Sequence, residues 1–176
     1  GDIAGNGVLV LDAIRRAKAA GASLVVLPEL ALTGYPPEDL LLNSSFIDGN
    51  LKVLEEIASK VRGITAVVGF VDRAVVGHKE DIYNGAAVLS AGRIAAVYHK
   101  MFLPNYGVFD EQRYFLPGDT ALNVTIGDVT VGIGICEDLW SPDGPLRSQA
   151  AQSADLIVNL NASPYHIRQE ALRDEI

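Results

Sequence analysis

Val129-Thr130-Val131-Gly132-Ile133-Gly134-Ile135-Cys136 alternates branched apolar residues with small ones and then breaks into Glu137-Asp138. Side chains alternate with period two along a strand, so Val129, Val131, Ile133 and Ile135 share one face. Thr130, Gly132, Gly134 and Cys136 share the other, a bare face that admits a second backbone or a ligand. Just upstream, a β-type run at 121–126 and the pair Gly127-Asp128 complete a hairpin with it. Downstream, Ser141-Pro142-Asp143-Gly144 is a turn, residues 146–153 carry helical spacing, and 155–160 return to a strand. A hairpin that feeds a strand-helix-strand unit requires a sheet of mixed direction, which is an α/β fold.

The rest of the chain extends the same alternation. Residues 8–20 place Val10, Ala13, Ile14 and Ala17 on one helical stripe, and Gly21 stops the helix. Residues 23–27 form a short apolar strand, buried on both faces, that ends at Pro28-Glu29. A second helix is expected over 51–60 and a strand over 64–71. Runs at 86–89 and 94–98, joined by Ser90-Ala91-Gly92-Arg93, predict another hairpin. The charged stretch Gly77-His78-Lys79-Glu80-Asp81 reads as a solvent loop.

The chain has 14 Lys and Arg against 22 Asp and Glu, a net charge of −8, and no basic stripe to meet a phosphate backbone. Nucleic acid is therefore excluded as a partner. No apolar run approaches the roughly 20 residues that cross a bilayer, and no signal-peptide pattern opens the chain, so neither a membrane nor secretion is indicated. The single Cys136 forms no internal disulfide and lacks the companions of a zinc site, which points to a cytoplasmic protein without a metal. The chain opens on Gly1 rather than Met and stops within a charged helical stretch at 167–176. Both ends are expected to be cut, which favours partner contacts and a homo-oligomer.

Three strands end in polar residues unsuited to a core: Glu29, Lys100 and Cys136. Sites in open α/β sheets lie beyond the carboxyl ends of strands, so the three side chains can converge. Cys136 is either a small buried hydrophobe or a nucleophile. A nucleophilic thiol needs a base or a cation, all the more so beside Glu137, which would raise its pKa. Histidine is the usual base. His78 belongs to the charged stretch, His99 points away from Lys100, and His166 follows Ser163-Pro164-Tyr165 with no evident orienting partner. The alternative is a Glu-Lys-Cys arrangement, in which the carboxylate takes the thiol proton and the ammonium stabilises an oxyanion. Gly132-Ile133-Gly134 does not form a nucleotide loop, because its glycines lie within the strand and no third glycine opens a helix.

Three blocks carry a resemblance. They are the stretch from Leu27-Pro28-Glu29-Leu30 through Thr33-Gly34-Tyr35-Pro36-Pro37-Glu38-Asp39-Leu40-Leu41, His99-Lys100-Met101-Phe102-Leu103-Pro104-Asn105-Tyr106-Gly107-Val108-Phe109-Asp110-Glu111, and Gly134-Ile135-Cys136-Glu137-Asp138-Leu139-Trp140. In order and spacing they resemble the signature blocks of the nitrilase superfamily and, within it, the glutaminase domains of glutamine-dependent NAD+ synthetases. The resemblance implies a four-layer αββα sandwich with mixed sheets, in which residues 1–176 are a partial carbon-nitrogen hydrolase (glutaminase) domain. It implies Glu29 as general base, Lys100 as stabiliser of the tetrahedral intermediate, and Cys136 as the nucleophile that converts L-glutamine to glutamate and ammonia through a thioester. Substrate contacts carried over are Tyr106 and Ser163, with Tyr35, Phe109, Glu137 and Gln169 as further candidates. Gln169 stands where similar proteins often have lysine. Glu111 is an accessory carboxylate beside Lys100. The first strand and the closing strands of such a domain are missing, as is the C-terminal synthetase domain, to which any ATP and Mg2+ would belong; the glutaminase part needs no cofactor. Rival readings are an amidase or carbamoyl hydrolase of the same superfamily, and a non-catalytic domain of the same fold.

Overall fold

The computed structural model describes residues 1–76 and 79–163. Helix α1 (Ile3–Ala19) starts five residues earlier than the apolar stripe predicts, because Asp2 caps it by accepting from Gly5 N at 2.9 Å. Helix α2 (Ser44–Ala58) is likewise extended at its start by Asn43, which accepts from Ser45 N at 3.0 Å. Strand β1 (Leu24–Val26) pairs in parallel with β2 (Thr65–Val76). Antiparallel β3 (Lys79–Ser90) and β4 (Arg93–His99) complete a sheet of order β1-β2-β3-β4. Strand β5 (Leu122–Ile126), the quoted strand β6 (Val129–Ile135) and β7 (Leu156–Leu160) make the second sheet, antiparallel and then parallel. Helix α3 (Pro145–Ala151) joins its last two strands.

Alternation along β2 decides the layering. Ala66, Val68 and Phe70 pack under Val10 and Ile14 of α1 and Leu54 and Ile57 of α2. Val67, on the other face, joins Ala86, Val88 and Tyr98 against Val131, Ile133, Ile135 and Leu160 of the second sheet. Gln149 of α3 closes the outer face of that sheet by donating to Ile133 O at 2.7 Å and Leu122 O at 3.2 Å. The order of layers is helix, sheet, sheet, helix, the nitrilase-like αββα sandwich. Full burial of each Ile or Leu between the sheets contributes roughly 1.5–3 kcal/mol.

One expectation is corrected here, and one left open is decided. Lys79, Glu80 and Asp81 are not a loop: they pair with Val76, Val75 and Ala74 as the first part of β3. A ladder is made by backbone groups, so charge does not prevent it. His78 lies outside the described residues. Of the two occupants expected on the glycine face of β6, a neighbouring element or a ligand, the fold supplies the first. A Cβ at Gly132 would lie 2.6 Å from Ile157 Cδ1 and 2.9 Å from Gln149 Cδ, so its bareness admits β7 and α3. Among the described residues no helix is long and apolar enough to cross a membrane.

Candidate active site

The carboxyl end of β1 is bent sharply. Leu27 N still bonds to Val67 O at 2.8 Å, but Leu30 adopts a φ of +50° and turns the chain back, so that Leu32 N reaches Gly69 O at 3.2 Å. This return presses backbone against backbone. A Cβ at Gly69 would stand 2.3 Å from Pro28 O and 2.5 Å from Leu30 N, so only glycine permits Glu29 to lie where it does. Lys100, the residue after β4, is fixed through its own backbone: its N–H donates to Asn84 O at 2.9 Å and its carbonyl accepts from Gly118 N at 2.8 Å. Cys136 follows β6 with a φ of +47° and opens a 3-10 turn over Cys136–Leu139. Period-two alternation ends there, so the thiol leaves the glycine face.

These two bends and the anchored backbone of Lys100 gather a buried polar cluster. Lys100 Nζ donates to Glu29 Oε1 at 2.8 Å and to Glu111 Oε1 and Oε2, each at 2.9 Å. Lys100 is 0% and Glu29 2% exposed. Asn84 Nδ2 donates to Glu29 Oε1 at 2.8 Å and to Glu111 Oε2 at 3.5 Å. Ala162 N–H donates to Glu29 Oε2 at 3.2 Å, and Cys136 Sγ lies 3.3 Å from Ser163 Oγ.

The electrostatics follow from one ammonium facing two carboxylates. Burial works against the Lys100 charge, but Glu29 and Glu111 outweigh it and hold the pKa above its ordinary value. Burial raises Glu111 despite the opposing pull of Lys100. The Cys136 thiol is pushed up to about 11, first by burial and then by Glu29, while Lys100 and the Ser163 hydroxyl pull it down. At rest the sulfur keeps its proton and needs a base. Glu137, the neighbour expected to impede it, instead turns its carboxylate to the Tyr106 hydroxyl at 2.9 Å.

The other candidate contacts divide into groups. Tyr106 meets Phe109 edge-on, with ring centroids 5.7 Å apart. Tyr35, Phe109 and Glu111 line a cavity of about 320 Å3, and the Tyr35 hydroxyl donates to Glu111 Oε1 at 3.4 Å. Burial and the nearby carboxylates raise the Tyr35 pKa, which keeps its hydroxyl a donor. Gln169 and His166 lie outside the described residues. His99 bonds through Nε2 to Asp72 Oδ2 at 2.7 Å and stacks on Tyr83, so it does not serve the thiol. Among the described residues no group of three or more His, Cys, Asp or Glu side chains is placed to hold a metal. Asn84 is not among the site residues expected from the sequence. Its signal is a side-chain amide just before the apolar stretch Ala86-Ala87-Val88-Leu89, where a buried polar group needs a partner.

Comparison with known proteins agrees with this fold. The family model described as carbon-nitrogen hydrolase matches residues 1–173. A protein of Thermotoga maritima named glutamine-dependent NAD(+) synthetase is 48% identical over 178 residues, which are 99% of this chain and 30% of that one. Among solved structures, the glutamine-dependent NAD+ synthetase of Acinetobacter baumannii in complex with ADP superimposes with a TM-score of 0.92 at 36% identity, covering 98% of this chain and 32% of that one. An amidase from Nesterenkonia sp. gives a TM-score of 0.79 at 27% identity, covering 96% of this chain and 63% of the amidase. The chain thus spans about a third of the length of the synthetases it matches.

Proposed function

The chain belongs to the carbon-nitrogen hydrolase family, and we propose that it is the glutamine amidohydrolase part of a glutamine-dependent NAD+ synthetase. The observation that carries the chemistry is the buried Glu29-Lys100-Glu111 cluster, with Cys136 within its electrostatic reach. Glu29 Oε1 already accepts from both Lys100 and Asn84, whereas Oε2, among the described residues, accepts only from Ala162 N–H, next to the serine that touches the sulfur. Oε2 is therefore the oxygen suited to take the thiol proton. Ionising the thiol alone would add charge to a cluster that is already net negative. Transfer of the proton to Glu29 leaves that charge unchanged, which is why a thiol held near 11 can react at neutral pH.

The sulfur attacks the side-chain amide carbon of glutamine, and the Lys100 ammonium faces the oxygen that gains charge. Glu29 returns its proton to the leaving nitrogen, and ammonia departs as the C–N bond breaks, leaving a thioester. Water, deprotonated by Glu29, then cleaves the C–S bond to give glutamate and the free thiol. Glutamine in particular is favoured by the Tyr106-Glu137 pair beside the nucleophile, since the Glu137 carboxylate can receive the α-ammonium. Ser163 and Phe109 are further contacts in this reading. The ammonia passes to a C-terminal synthetase domain, where ATP and Mg2+ are used to amidate the dinucleotide.

Cys136→Ala in the full-length protein tests the proposal. Glutamine-driven NAD+ formation is expected to stop, while formation from added ammonium continues. Persistence of the glutamine-driven reaction overturns the nucleophile, and faster ammonia release from another amide overturns the substrate.

A further inference from the structure

Asp138 lies two residues beyond the thiol, is 1% exposed, and touches none of the groups to which the chemistry above is given. Its carboxylate is nevertheless fully engaged. Oδ1 accepts from Met101 N at 3.1 Å and Phe102 N at 3.0 Å, and Oδ2 accepts from Ile135 N at 2.9 Å and the Tyr98 hydroxyl at 2.8 Å. Ile135 immediately precedes the nucleophile. Tyr98 precedes Lys100 by two residues, and Met101 and Phe102 follow it. One side chain thus ties the backbone before the sulfur to chain on both sides of the ammonium.

The tie crosses the two sheets. Their shared core of Val67, Val88, Ile133 and Ile135 is apolar, and apolar contact is non-directional, so it sets separation better than sliding. Directed hydrogen bonds supply the missing constraint. The turn that carries Asp138 is itself held from behind, since a Cβ at Gly144 would lie 2.2 Å from Asp138 O. The bond from Ile135 N closes that turn and supports the φ of +47° at Cys136, which a non-glycine residue keeps only when its surroundings impose it.

We propose that Asp138 is a positioning residue for the glutamine hydrolysis put forward above, setting the separation of Cys136 Sγ and Lys100 Nζ by holding both backbones to one carboxylate. A carboxylate is required. Both of its oxygens accept, whereas an asparagine would turn its NH2 either on Ile135 N–H or on the N–H groups of Met101 and Phe102, donor against donor. A shift of about 1 Å between reacting groups costs on the order of 100-fold in rate.

The test is a cycle in the full-length protein. Asp138→Asn is expected to lower kcat for glutamine about 100-fold. Tyr98→Phe removes one donor while keeping the buried ring. It is expected to lower kcat several-fold at unchanged KM and to keep the native emission of Trp140. Because Asp138 acts through the placement of Lys100, adding Asp138→Asn to Lys100→Met should cost little beyond Lys100→Met alone. A folded Asp138→Asn variant with kcat within about threefold of the parent overturns the role, as do effects that multiply in the double variant; these bounds follow the non-additivity expected of coupled residues. If Asp138→Asn does not fold, Tyr98→Phe decides, and an unchanged kcat there refutes it. If the parent prefers another amide, the substrate assignment falls, and the same cycle on that amide still decides the role of Asp138. If the parent hydrolyses no amide, both fall.

Discussion

Replacing Lys100 with methionine keeps the stem and removes the charge. In the folded protein Nζ lies 2.8 Å from Glu29 Oε1 and 2.9 Å from both oxygens of Glu111, in a site where Lys100 is 0% exposed. Without the ammonium, the two buried carboxylates keep the neutral donors Asn84, Ala162 N–H and Tyr35 but face no cation in the cluster. Removing one partner of a buried ion pair costs about 3–5 kcal/mol, because the charge left behind is neither solvated nor compensated. At roughly 2–4 °C per kcal/mol for a domain of this size, unfolding at neutral pH should begin about 6–20 °C lower. The cost carries a pH signature. Burial already raises Glu111 against the pull of Lys100, and loss of that pull raises it further. The folded variant then holds a proton that the unfolded chain has released. Its deficit is therefore small below the ordinary glutamate range and grows as pH rises through the raised value. Adding Glu111→Gln removes one of the two opposed charges and should restore more than half of the lost stability without restoring turnover, which is expected to stay about 10²–10³-fold down. Unfolding can be followed through Trp140, the only tryptophan. A loss below about 1 kcal/mol in Lys100→Met, or a Glu111→Gln change that deepens the loss, would refute the buried cluster as the source of the cost.

Two further outcomes follow from the same geometry. Gly69→Ala should destabilise by about 1–3 kcal/mol and also depress ammonia release, because its methyl group meets the backbone on both sides of Glu29. Normal turnover in that variant would show that Glu29 is not held by this contact. For Cys136, the folded pKa of about 11 lies above the ordinary thiol value of 9.0, so the unfolded chain loses its proton first. Stability is unaffected below pH 9 and falls as pH rises from there towards 11, by a few kcal/mol in all, on the order of 1 kcal/mol per pH unit. Urea titrations of the parent and of Cys136→Ala at pH 8 and 10.5 should show a shallower fall in the variant, and parallel falls would contradict the burial of the thiol.

Periodicity and punctuation exposed most of the architecture. The alternation from Val129 to Ile135, the apolar run into Pro28-Glu29 and the turn at Gly127-Asp128 each depend on neighbours a few residues away, which is the range over which sequence acts directly. The three polar strand ends were visible for the same reason, and the motif spacing attached a chemistry to them. What stayed open involved partners. The glycines of β6 suit a neighbouring element or a ligand until α3 and β7 fill them, and His99 has no assigned role until Asp72, 27 residues away, is found bonded to it. Asn84 signals locally only that a buried amide needs a partner, and Asp138 not even that, because what they bond to lies on other strands and turns.

From its sequence alone, this protein is committed to alternating helices and strands and to a carboxylate, an ammonium and a thiol at strand ends, since those follow from side-chain pattern and local backbone preference. Only the packed sandwich decides that Lys100 faces two carboxylates, that Cys136 turns off its strand at a φ of +47°, and that one carboxylate at 138 spans both sheets. Those relations join residues tens of positions apart, and hydrogen bonds and charges act over a few ångströms of space however much chain lies between.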